Sequence, residues 1–177
     1  MKKSQSLIVI AASLGLFFGF GLNAHAEEAS GLFIEPGLTY ERGKTVTDWP
    51  LGLSSSSGES NGLGLMGRVG LHTYDIVFVG LDARYSMTTF KDSSVNYSAD
   101  ATQFNWGPVV GVQTPIIGLR VWGSYIVSGF LDPKASSSYD VRLEDGTGYR
   151  VGAGLRFLML SFNLEYQNLK YGKLNVE

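Results

Sequence analysis

Residues 77–87 read Val-Phe-Val-Gly-Leu-Asp-Ala-Arg-Tyr-Ser-Met. Val77, Val79, Leu81, Ala83, Tyr85 and Met87 share one phase, and Phe78, Gly80, Asp82, Arg84 and Ser86 share the other. An extended strand points successive side chains to opposite faces, so one face is oily and the other carries the ions. Long strands of this kind, repeated behind a secretory leader, suit a barrel whose outside meets lipid and whose inside is polar.

Six further stretches repeat the pattern. One spans about 31–42, with Leu32, Ile34, Leu38 and Tyr40 against Glu35, Gly37, Thr39 and Glu41. The stretch at about 61–72 sets Leu63, Leu65, Val69 and Leu71 against Gly64, Met66, Arg68, Gly70 and His72. About 102–113 places Phe104, Trp106, Val110 and Val112 opposite Gln103, Asn105, Gly107 and Gln113. At about 117–128, Leu119, Val121, Tyr125 and Val127 alternate with Arg120, Trp122, Ser124 and Ser128. The last two span about 147–157 (Tyr149, Val151, Ala153 and Leu155 against Arg150, Gly152, Gly154 and Arg156) and about 160–170 (Leu160, Phe162, Leu164 and Tyr166 against Ser161, Asn163, Glu165 and Gln167).

The amino-terminal end reads as an export leader. Lys2 and Lys3 precede an apolar run from Leu7 to Leu22, and Ala24-His25-Ala26 is a small-x-small cleavage site. The run is short for a membrane span, so residues 1–26 are expected to be a cleaved signal peptide and 27–177 a single domain. No later segment reaches the 18 or so apolar residues of a membrane helix. Cysteine is absent, so an exported domain here has no disulfides and depends on pairing and packing. Loss of Lys2 and Lys3 leaves 12 basic against 16 acidic residues, a charge of −4, which gives no reason to expect nucleic-acid binding.

Connections alternate in length. Tight ones fall around His72–Asp75, Thr114–Ile116 and Leu158-Met159, and long ones at residues 43–60, 91–101 and 129–146. Short turns on one rim and long polar loops on the other match a barrel of a Gram-negative outer membrane, with the long loops outside. Tyr40, Tyr85, Phe104, Trp106, Tyr125, Tyr149 and Tyr166 all lie on the apolar phase, near the strand ends that meet the long loops. Rings with one polar edge settle at the membrane–water interface, so these seven form a candidate girdle. A one-residue slip would turn Arg68, Arg84 and Arg120 toward lipid. Each would cost about 2–4 kcal/mol near the midplane, against a whole-domain stability of about 5–15 kcal/mol, so the ions are assigned to the interior.

Over nearly its whole length after the leader, the chain resembles the small outer-membrane barrels of the OmpA-transmembrane, OmpX and Ail type. The likeness lies in leader, strand length, loop asymmetry and girdle. It implies an all-β, transmembrane, antiparallel up-and-down barrel of eight-stranded type, of which seven strands are readable here. The family's last strand ends on an aromatic residue that helps the assembly machinery recognise it. This chain ends Gly172-Lys173-Leu174-Asn175-Val176-Glu177, apparently without the final strand. Truncation before an eighth strand, parallel closure of the first and seventh strands, or completion by a partner chain would each answer the unpaired edges. Pro36 and Pro108 within strands suit an edge or a bulge.

The inward ions are Arg68, Arg84, Arg120, Arg150 and Arg156 against Glu35, Glu41, Asp82 and Glu165. Near balance in a narrow barrel, whose interior has room for side chains and little else, points to a paired ionic plug. The resemblance also brings enzymes into view, since lipid-A acyltransferases and deacylases are barrels of this size. Their chemistry uses a histidine beside a serine or carboxylate. His72, the sole histidine outside the leader, sits at the short-turn rim, and no two-histidine metal site is possible. The expectation is therefore a non-enzymatic protein without cofactor or metal. Its role is structural or surface-interactive, and its partners are outer-membrane lipid and lipopolysaccharide, the barrel-assembly machinery and a surface partner at the loops. Trp49-Pro50-Leu51 and the acidic Asp132, Asp140, Glu144 and Asp145 are the loop features most suited to contact. Alternatives are a narrow porin-like channel for water or small ions and a soluble periplasmic lipocalin-like barrel, in which the two faces would be reversed. Asn96-Tyr97-Ser98 fits a glycosylation triplet only by chance in an exported bacterial chain.

Overall fold

In a computed structural model the chain is all β. The described residues are 5–16, 18–21, 30–47, 56–74, 76–92, 97–114, 118–134 and 141–176. Twelve strand segments occur among them: β1 (Gln5–Leu16), β2 (Phe18–Gly21), β3 (Ser30–Thr47), β4 (Ser56–Thr73), β5 (Val77–Asp92), β6 (Tyr97–Gln113), β7 (Leu119–Ile126), β8 (Ser128–Pro133), β9 (Val141–Glu144), β10 (Thr147–Phe157), β11 (Leu160–Tyr171) and β12 (Lys173–Val176). Several are pieces of one stave. β8 continues β7 past Val127, β9 leads into β10 across Asp145-Gly146, and β12 continues β11 past Gly172. The interruptions stay tied to the sheet, with Val127 N–H donating to Trp106 O (3.0 Å), Gly146 N–H to Gly129 O (2.9 Å) and Gly172 N–H to Glu144 O (3.1 Å).

Around the ring the order is β3, β4, β5, β6, β7, β10, β11, β1 and back to β3, with every pairing antiparallel. The result is a closed eight-stave up-and-down barrel. Closure removes the unpaired edges that would otherwise leave backbone groups unsatisfied. The seven stretches read from the alternation are present, and the eighth place is filled from within the chain. Residues 5–16 run between β11 and β3, from Gln5 opposite Tyr171 to Leu16 opposite Leu160. Neither parallel closure of β3 on β11 nor a partner chain closes the sheet; β1 pairs antiparallel with both. The apolar run expected to be a leader conceals an alternation of its own, because its apolar residues occupy both phases: Leu7, Val9 and Ala11 point inward together with Ser13, and Ile8, Ile10, Leu14 and Leu16 outward. The expected cleavage site Ala24–Ala26 lies outside the described residues.

Strands run longer than the sequence suggests. The expected loop at 43–60 is largely a ladder, because β3 continues to Thr47 and β4 begins at Ser56, paired residue for residue. Likewise β5 and β6 pair out to Asp92 and Tyr97, and β8 meets β9 through Leu131 and Leu143. Polar residues suggest loop, but a hairpin keeps its ladder beyond the apolar belt wherever register is maintained. Trp49-Pro50-Leu51, Asn96 and Asp140 lie outside the described residues. At the opposite rim the turns are tight. Tyr74, Leu158 and Gly118 take positive φ (52°, 54° and 62°), the left-handed backbone that short hairpin connections require.

Candidate functional site: the barrel lumen and the outer belt

Every inward ion except Arg156 is nearly fully buried. The alternation of β3, β5 and β7 aims Glu35, Asp82 and Arg120 at the axis from three sides. Because β3 and β7 lie on opposite walls of the ring, Arg120 reaches across the lumen to Glu35 with both Nη groups, one at 2.9 Å. Arg120 also donates through Nε to Asn163 Oδ1 (2.9 Å). Arg68 joins the two acids, donating to Glu35 Oε2 (3.3 Å) and, through Nη2, to Asp82 Oδ2 (2.7 Å). Ser161 Oγ donates to Glu35 Oε1 (2.5 Å), so this carboxylate receives two guanidiniums and a hydroxyl.

A second set lies beside it. Arg150 donates to Asp82, to Asn105 Oδ1 and, through Nε, to Gln167 Oε1 (2.9 Å). Arg84 pairs with Glu165 on the facing wall and lies 3.7 Å from Asp82. Glu165 Oε1 also accepts from Ser13 Oγ (3.1 Å), and Glu41 accepts from Ser86 (3.2 Å). The ions thus form a cross-braced network that ties opposite walls. Buried charges persist only when paired and hydrogen-bonded in this way. Arg156 is half-buried at the short-turn rim, where it lines a void of about 10 Å³ with His72, Gln113 and Arg120. That space holds about one water.

Apolar layers above and below the ions were not legible. Below lie Phe33, Phe78, Val109 and Trp122. The Phe33 and Phe78 rings meet edge-on at 5.8 Å, and the Arg68 guanidinium carbon sits 4.2 Å from the Trp122 ring centroid. Above lie Leu7, Val9, Ala11, Ile126, Leu143, Leu169 and Tyr171, supplied by four separate segments. All of these occupy the inward phase of their strands. The available signal was an apolar or aromatic residue breaking the polar phase, as Phe78 and Trp122 do.

The outer face reverses this chemistry. Between the rims its described positions carry no charge, running for example Leu160, Phe162, Leu164, Tyr166 on β11 and Leu71, Val69, Leu65, Leu63 on β4. The belt ends abruptly beyond the tyrosines. Arg42 and Lys44 continue the outward phase of β3, Asn61 and Glu59 that of β4, and Thr89 and Lys91 that of β5. Arg42 pairs with Glu59 there at 3.6 Å. Tyr40, Tyr85, Trp106, Tyr125 and Tyr149 are exposed on the outer face, and Phe104 and Tyr166 are half-exposed. Tyr149 and Tyr166 lie 6.2 Å apart at the upper edge of the belt.

No family model, curated protein or solved structure matches the chain. Of the acidic loop residues, Glu144 and Asp145 are engaged locally: Arg142 Nε approaches Glu144 at 3.2 Å, and Lys173 approaches Asp145 at 2.8 Å. The neighbouring Asp145 carboxylate holds the Lys173 ammonium above the usual lysine range. No group of three or more metal-ligating side chains gathers among the described residues.

Proposed function

We propose that this chain is a non-enzymatic outer-membrane β-barrel protein of the small OmpA, OmpX and Ail kind, exported by its leader and closed to diffusion by an ionic plug. The observation that carries the reading is the opposition of the two faces. The outer belt is uncharged and bounded by tyrosines and then by ions, while the buried arginines and carboxylates point to the axis. Lipid is the solvent that such a belt suits. A lipocalin-like carrier needs the reverse, an apolar cavity and a charged exterior.

Plugging is supported by the cross-wall pairs and by the packed aromatic layer beneath them. The strands that rise beyond the belt present polar residues at the long-loop rim, and contact with lipopolysaccharide or a surface partner belongs there. Barrel assembly from the periplasm would require the assembly machinery. The test is reconstitution of the purified protein in planar bilayers, with fractionation of expressing cells. The reading requires an outer-membrane location, heat-modifiable mobility and no stable open-channel steps. Large, long-lived conductance steps would remove the plug, and a detergent-free monodisperse protein in buffer would remove the membrane.

A further inference from the structure

One stave differs from the other seven. β1 is the stave whose sequence also reads as a removable leader, and it separates two long edges. It pairs over twelve positions with β11 and eleven with β3, so its loss would unpair both. The seat between those edges has a specific inward chemistry. From the upper end, Leu7, Val9 and Ala11 pack with Ile126, Leu143, Leu169 and Tyr171. Ser13 then accepts from Asn163 Nδ2 (3.0 Å) and donates to Glu165 Oε1 (3.1 Å). At Gly15 the seat closes, since a Cβ there would come within 2.5 Å of Ser161 Oγ and 2.8 Å of Glu35 Oε1. The seat therefore takes an extended strand that is aliphatic inward at its top, bears a small hydroxyl at the ionic layer and lacks a side chain two residues later. Every second residue must tolerate the outer belt. In strand addition, backbone hydrogen bonds supply affinity and alternate side-chain pockets supply selection.

We propose that the seat between β3 and β11 is a strand-acceptor site with residues 5–16 as its exchangeable occupant. A free peptide of that sequence takes the seat when the leader is cut from the barrel. Selection comes from Ser13 meeting Asn163 and Glu165 and from the space that only Gly15 leaves. The proposal rests on pairing within the sheet and stands whether or not the lumen conducts.

Two experiments on the full chain in detergent test it. The chain has no cysteine, so the pair Ala12→Cys and Leu164→Cys, opposite each other in the register, reports seating directly. A disulfide is expected there and not for the slipped pair Ala12→Cys and Phe162→Cys. Next, a protease site inserted between Ala26 and Glu27 is cut after folding, and labelled 5–16 peptide is added in excess. Uptake into the band of folded mobility is expected, at least tenfold above a peptide carrying Gly15→Val or Ser13→Arg. Three results would overturn the proposal: no disulfide at the registered pair, equal uptake of all peptides, or no uptake at all, whether or not the cut barrel keeps its folded mobility.

Discussion

Arg120 on β7 and Glu35 on β3 clasp each other across the barrel axis, 85 residues apart in the chain and on opposite walls of the ring. Arg68 and Ser161 converge on the same carboxylate. Glu35 is thus the point at which four staves are tied together, and its side chain is fully buried.

Glu35→Gln removes the charge that two buried guanidiniums share. Breaking a buried pair costs about 3–5 kcal/mol, because the remaining ions stay desolvated and uncompensated. A drop in the urea midpoint of the detergent- or vesicle-folded barrel is expected, and the double change Glu35→Gln with Arg120→Gln should lie well short of the sum of the singles. Additive effects would show that the two residues do not interact.

Ions on the outer belt are expected to fail by depth. Leu81→Arg places a guanidinium on the outer side of β5, and with lipid bordering the belt as proposed it is expected to cost about 2–4 kcal/mol near the midplane. Thr89→Arg, beyond the belt on the same face of the same strand, is expected to change folding into vesicles by less than about 0.5 kcal/mol. Equal effects at the two positions would mean that lipid does not border the belt at Leu81.

Gly152 leaves the room that Trp122 occupies, since a Cβ there would come within about 2.5 Å of the Trp122 ring. Gly152→Val is expected to displace that ring from Arg68 and to cost about 1–3 kcal/mol through overpacking. Tryptophan emission, compared with a Trp122→Phe background, reads the displacement. An unchanged spectrum and midpoint would show that the lower layer has slack.

Surface pairs should matter little. Arg42 and Glu59 sit 3.6 Å apart with both side chains mostly exposed. Arg42→Ala is expected to shift the urea midpoint by no more than about 0.5 kcal/mol, less still in high salt. A loss comparable to that of Glu35→Gln would place this pair in a larger network.

Alternation made the walls of the barrel readable, residue by residue. Leu81 outward and Asp82 inward follow from backbone geometry alone, and so does the inward set from Glu35 to Glu165. Two kinds of feature were lost. Hairpins such as Thr45 with Gly58 continue the ladder through polar residues, where hydropathy falls silent. The segment from Leu7 to Leu16 was apolar in both phases, so its extended form and its place between β3 and β11 were hidden behind its likeness to a leader.

By itself the sequence determined the faces of this protein, because a strand's period of two assigns each side chain to one side without reference to any other strand. Which inward groups meet was decided only by the tertiary structure. Closing the sheet brings β7 opposite β3 and β5 opposite β11, and partners such as Arg84 and Glu165 become neighbours only through the curvature and register of the whole ring.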